Sequence, residues 1–151
     1  MTRHATMVAL WLFATALLQA TEARINKVLP HFLDDRGRHA LAPSLYERDA
    51  YQAELRKQPE KVRGVRFDIH WRAQRRVRGP LTLRLELRTA NRAEMAPLVL
   101  ETAVKPGFLG RKWSSIHLDG ERFTEAGSVL SWQATLLDGG RELAVKRSFL
   151  W

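Results

Sequence analysis

The chain has 151 residues, enough for a single domain with one sizeable apolar core. Hydrophobic residues make up 45% and charged residues 27%, which excludes a disordered chain, and the absence of cysteine excludes disulfides, thiolate metal sites, cysteine nucleophiles and a lipid-modified cysteine. The 25 lysines and arginines against 16 acidic residues leave a net charge of +9, which favours anionic surfaces such as acidic glycans, lipid head groups, nucleic acid or acidic proteins.

Residues 1–23 read as a secretory signal peptide. Arg3 supplies a positive start, Ala5 to Leu18 carry no charge, and Gln19 to Ala23 turn polar and small. The apolar stretch is too short to span a bilayer comfortably. Small residues place cleavage after Ala20 or after Ala23, the second slightly preferred. The expectation is an exported protein, periplasmic or secreted, whose mature part (24–151) is one domain without a transmembrane span.

Ile25 to Leu33 is strand-like but carries Pro30, which lacks a backbone N–H and so belongs on an edge or at a bulge. Asp34-Asp35-Arg36-Gly37 reads as a turn. The pattern predicts one helix at about 44–58, with Ser44 as N-cap, Glu47 completing a capping box, and Pro59 stopping it. From Val62 the period changes to two. Val65, Phe67, Ile69, Trp71 and Ala73 alternate with Arg66, Asp68, His70 and Arg72; then Leu81, Leu83, Leu85 and Leu87 alternate with Thr82, Arg84, Glu86 and Arg88. Two such runs in succession predict a long hairpin with one wet face, in a register that sets Asp68 opposite Arg84 or Arg88.

Leu98 to Val104 and Lys112 to Leu118 read as short strands, the second ended by Asp119-Gly120. Val129 to Leu137 follows with Leu130, Trp132, Ala134 and Leu136 on one face. Asp138-Gly139-Gly140 is a tight turn into a closing strand, Glu142 to Trp151. Its apolar end, Phe149-Leu150-Trp151, is expected to tuck into the sandwich edge. About seven strands with one short helix between the first and second predict a mainly β protein, an antiparallel β-sandwich.

The segment GVRFDIHWRA (64–73) resembles the tryptophan-bearing early strand of fibronectin type III and related immunoglobulin-like domains of exported bacterial proteins. SVLSWQATLLDGGRELAVKRSFLW (128–151) resembles their final hairpin. The resemblance spans Val62 to Trp151 at the level of pattern. It departs in lacking the tyrosine corner before the penultimate strand, where Phe123 is the nearest aromatic, and in the added Ser44–Pro59 segment. It implies an immunoglobulin-like sandwich and a habit of binding proteins or glycans; fold alone supplies no function.

Ser115, His117 and Asp119 share a strand face, but alternate residues stand about 7 Å apart, too far for the contacts of a catalytic triad. The sequence therefore offers no catalytic residues. The histidines His31, His39, His70 and His117 are not spaced for a metal, and no cofactor is called for. The arginines carry the strongest signal. Arg66, Arg72, Arg84 and Arg88 are expected on the outer face of the predicted hairpin, with Arg75, Arg76 and Arg78 at its tip, where guanidinium groups can pair with carboxylates, sulfates or phosphates. Against this stands plain solvation, with Asp68 and Glu86 neutralising part of the charge. Trp71 and Trp132 fall on apolar faces; Trp113, in phase with Ser115 and His117, is the exposed contact.

These features predict an exported, non-enzymatic binding or structural module that docks an anionic glycan, lipid or acidic protein through a basic strand face. Nucleic acid is disfavoured, because no base-stacking aromatics interleave the outer face. A small outer-membrane β-barrel is the alternative, although seven strands and a helix fit it poorly. An enzyme whose site is assembled only on folding is the other.

Overall fold

The computed structural model describes residues 22–151 except 75, 76, 78, 79 and 108. Its strands are β1 (Ala23–Leu33), β2 (Gly64–Ala73), β3 (Leu81–Thr89), β4 (Leu98–Val104), β5 (Arg111–Asp119), β6 (Val129–Asp138) and β7 (Arg141–Arg147), with helices α1 (Leu45–Lys57) and α2 (Gly120–Ala126). They form two antiparallel sheets, ordered β1-β2-β5 and β4-β3-β6-β7, which stack as a sandwich and do not close into a single barrel. The mainly β, sandwich reading of the sequence therefore holds.

The two alternating runs fill the space between the sheets. Phe67, Ile69 and Trp71 of β2 and Leu81, Leu83 and Leu85 of β3 are all fully buried, and they belong to one apolar cluster. Each such side chain contributes about 1.5–3 kcal/mol by leaving water. β2 and β3 do not form a hairpin with each other, however. β2 pairs with β1 and β5, while β3 pairs with β4 and β6. The two strands thus lie in different sheets, and Val77, between them in sequence, is buried in the core. Period-two alternation reports which face is wet but not which strand lies alongside, so the predicted pairing failed while the faces were right. The charges found partners within their own sheets instead. Arg66 Nε donates to Asp68 Oδ1 at 2.8 Å, and Arg84 Nε donates to Glu101 Oε1 at 2.6 Å.

β1 is an edge strand, with Pro30 exposed and a bulge between Ile25 and Lys27. Glu22 and Ala23 are already part of the fold: the Glu22 carbonyl accepts the Gln74 N–H, and Ala23 is buried opposite Ala73. A cut after Ala20 would leave β1 whole, whereas a cut after Ala23 would remove its first residue.

α1 begins and ends where its sequence signals lie, but the capping box is not made, because the Ser44 side chain forms no cap hydrogen bond. The helix is held by tertiary contacts. Buried Gln52 accepts the Phe32 N–H at 2.7 Å and donates to the Phe32 and His39 carbonyls at 2.9 Å, satisfying backbone groups at the edge of β1. Asp34, in the predicted turn, ties the same region together.

Three other expectations are corrected. α2 stands where only an Asp119-Gly120 turn was expected. On β6, Ala134 and Leu136 are fully buried and Trp132 half-buried, but Leu130 is exposed, beside a register shift against Arg88 and Thr89. β7 ends at Arg147, and the chain end does not tuck in, since Phe149 and Leu150 are exposed. Ser148 explains this: its N–H donates to the Trp132 carbonyl and its Oγ accepts the Trp132 N–H, which closes the ladder. Trp151 then lies beneath the Arg88 guanidinium, 5.1 Å from carbon to ring centre.

Candidate anion-binding face

The outer face of the β1-β2-β5 sheet is built from side chains that alternate away from the core. Its register sets residues in rows across three strands: Arg24, Arg72 and Arg111; then Lys27, His70 and Trp113; then Leu29, Asp68 and Ser115; then His31, Arg66 and His117. Neighbouring strands lie about 4.8 Å apart, so each row is a line of adjacent groups.

One end of this face is satisfied internally. Asp68 accepts Ser115 Oγ at 2.6 Å and Arg66 Nε at 2.8 Å, with His31 Nε2 at 3.5 Å. Burial pushes the Asp68 carboxyl up, but the hydrogen bonds from Ser115 and Arg66 outweigh it and hold it below the usual range. Burial lowers His31 against the opposing pull of Asp68, and lowers His39 with help from Arg66. The rings of His31 and His39 lie 5.6 Å apart. Arg66 is thus engaged by Asp68. The Ser115 hydroxyl donates its hydrogen bond to the Asp68 carboxylate rather than to a histidine.

The other end is different. Arg24, Arg72 and Arg111 are exposed and, among the described residues, none forms an ion pair with an acid. Like charges directly opposite one another across strands oppose pairing, so this row is unfavourable in the isolated chain. A recess of about 320 Å³ opens beside Arg72 and Arg111; the Glu22 carboxylate at its rim is held by Arg141 Nη1 at 2.7 Å. Along the sheet, the next row presents Trp113 stacked on His70, ring centres 4.9 Å apart and planes 19° from parallel. Trp113 is 49% exposed, as its phase predicted.

The predicted arginine set is therefore divided. Arg66 and Arg72 lie on this face. Arg84 and Arg88 belong to the opposite sheet, where Glu101 and Trp151 occupy them. Arg75, Arg76 and Arg78 lie outside the described residues. The structure adds Arg24, Lys27 and Arg111, which sequence reasoning missed. Arg24 and Lys27 are three apart, a spacing that alternation assigns to opposite faces; the bulge at Asn26 returns them to one face. Asn26 and Lys27, two polar residues in succession, break the alternation of Ile25 to Leu33 and were the available signal.

No protein-family model, no curated protein and no solved structure matches the chain.

Proposed function

We propose that the protein is an exported, non-enzymatic binding module that docks an anionic glycan on the outer face of its β1-β2-β5 sheet. The observation that carries this reading is the row Arg24-Arg72-Arg111, without an acidic partner among the described residues, lying directly beside the Trp113–His70 stack. Guanidinium groups offer paired N–H donors that match sulfate and carboxylate geometry. An indole beside them offers an apolar face to the C–H side of a sugar ring. A polymer carrying regularly spaced anions neutralises a row whose members sit one strand apart, removing the repulsion that the free protein tolerates. The signal-like residues 1–23 support export, and the order of strands in the two sheets supports the resemblance to fibronectin type III and immunoglobulin-like sandwiches. A lipid surface fits this face less well, because apart from Trp113 and Leu29 it presents polar and charged groups rather than apolar depth.

Heparin, a sulfated polysaccharide, is a suitable probe. Titration calorimetry near physiological ionic strength should show R72E/R111E weakening binding at least tenfold and Trp113→Ala weakening it severalfold. R84E/R88E changes net charge by the same amount on the opposite sheet and should leave affinity within about twofold. Equal loss in both double variants would mean that heparin follows net charge alone, and would overturn the assignment of this face.

A further inference from the structure

A second site lies at the end of the sandwich, away from the arginine row. β7 pairs with β6 only as far as Gln133 opposite Arg147, and Ser148 bonds Trp132 just beyond, so among the described residues Val129 to Ser131 have no strand partner on that side. Between them and β1 a groove of about 720 Å³ runs into the core, flanked by the end of α1 and by α2. Its walls include Phe32, Val65, Phe67, Val129 and Trp132. Among the described residues lining it, the charged side chains are Arg56 and Arg63, both exposed. Arg63 Nη1 donates to the carbonyls of Glu60 at 2.6 Å and Val62 at 3.0 Å, which fixes its guanidinium. Arg56 sits in the last turn of α1, where the carbonyl end of a helix favours a cation.

We infer that this groove binds one molecule of a single-chain fatty acid, its hydrocarbon tail between the sheets and its carboxylate on Arg56 and Arg63. The volume falls within the range of small-ligand pockets, and an apolar interior with a few convergent polar groups at one end is the usual form of such sites. Charge complementarity selects an anion for the head. The tail must be a group that asks for no hydrogen bonds. A peptide strand would pair with the free edge of β6, but Ser148 already occupies both backbone groups of Trp132 there. A hydrocarbon chain has no such need.

The test uses the whole processed chain and three ligands with one tail: laurate, dodecanol and dodecyltrimethylammonium, each below its micelle concentration. Titration calorimetry, with intrinsic tryptophan fluorescence as a second readout, should give one-to-one binding of laurate at least tenfold tighter than of the cationic homologue. R56E/R63E should reverse that preference. Leu130→Asp, at an exposed position on the groove wall, should weaken laurate binding at least tenfold while the circular dichroism spectrum stays unchanged. R72E/R111E should leave laurate affinity unaltered, which separates this site from the glycan face. The inference falls if laurate shows no saturable binding, or binds no tighter than the cation. It falls equally if sedimentation finds a dimer that Leu130→Asp converts to monomer, since a second copy would then fill the groove.

Discussion

Replacing Trp71 by alanine should lower the unfolding free energy by about 3–5 kcal/mol, the range for truncating a large buried aromatic side chain. Trp71 has no exposed surface and sits in the middle strand of the three-stranded sheet, paired with Ile25 on one side and Lys112 on the other. Its indole fills the space between the sheets, and its Nε1 donates to Ser114 Oγ at 3.0 Å. Alanine forfeits both the apolar burial and the hydrogen bond, and close-packed neighbours relax only partly into the space. Trp71→Phe separates the two contributions. It keeps most of the ring volume, and its cost should be about 1–2 kcal/mol, chiefly the lost hydrogen bond and a small void. Urea unfolding followed by circular dichroism measures both, and a loss below about 1 kcal/mol for the alanine variant would remove Trp71 from the centre of the core.

Asp34→Ala is the second large effect. The side chain is almost wholly buried, and its carboxylate accepts the backbone N–H groups of Arg36 and Arg38, the Arg38 guanidinium, and the Tyr51 hydroxyl at 2.7 Å. It thereby joins the end of β1, the following turn and α1. Removing it leaves several donors without their acceptor and should cost about 2–4 kcal/mol. Burial alone would raise the Asp34 carboxyl, but the hydrogen bonds from Arg38, Tyr51 and Arg36 prevail and bring it down to about 2. A carboxyl lowered on folding stabilises the protein at pH values above its unfolded value, and that stability is lost as pH falls through the folded value. The wild-type protein should therefore lose about 1–2 kcal/mol between about pH 5 and pH 2 through this group, a figure reduced for the exposed Arg38 partner. The variant should lack that component. Equal acid sensitivity in both proteins would show that Asp34 is not the titrating group.

The legible part of the fold was whatever is written in the spacing of side chains. Val65 to Ala73 and Leu81 to Leu87 declared their inner faces, Pro30 declared an edge, and Pro59 ended α1. What period two cannot encode is the neighbour. Nothing in residues 74–80 announced that the chain would cross to the other sheet rather than turn back, and that one step divided the arginines between two faces. Local irregularities hid the remainder. The bulge at Asn26 reverses the phase of Arg24 relative to Lys27, and a hydroxyl at Ser148 halts β7 and frees Phe149 and Leu150. α2 is short, seven residues, and its sequence was overshadowed by the glycine that begins it. Half of the candidate site was therefore readable: Arg72 and Trp113 point outward as their phase required. Arg24 and Arg111 join them only through pairings of residues far apart in the chain.

The natural absence of cysteine allows that arrangement to be tested by cross-linking. Arg72 and Arg111 are direct cross-strand partners, whereas Asp68 and Arg84 would be partners only if β2 and β3 formed a hairpin. A disulfide requires Cα atoms within about 7 Å, so only the true neighbours can close one. On mild oxidation R72C/R111C should form an intramolecular disulfide, seen by thiol titration and peptide mass mapping, while D68C/R84C keeps two free thiols. A disulfide in D68C/R84C, with free thiols in R72C/R111C, would contradict the two-sheet topology and dissolve the basic row.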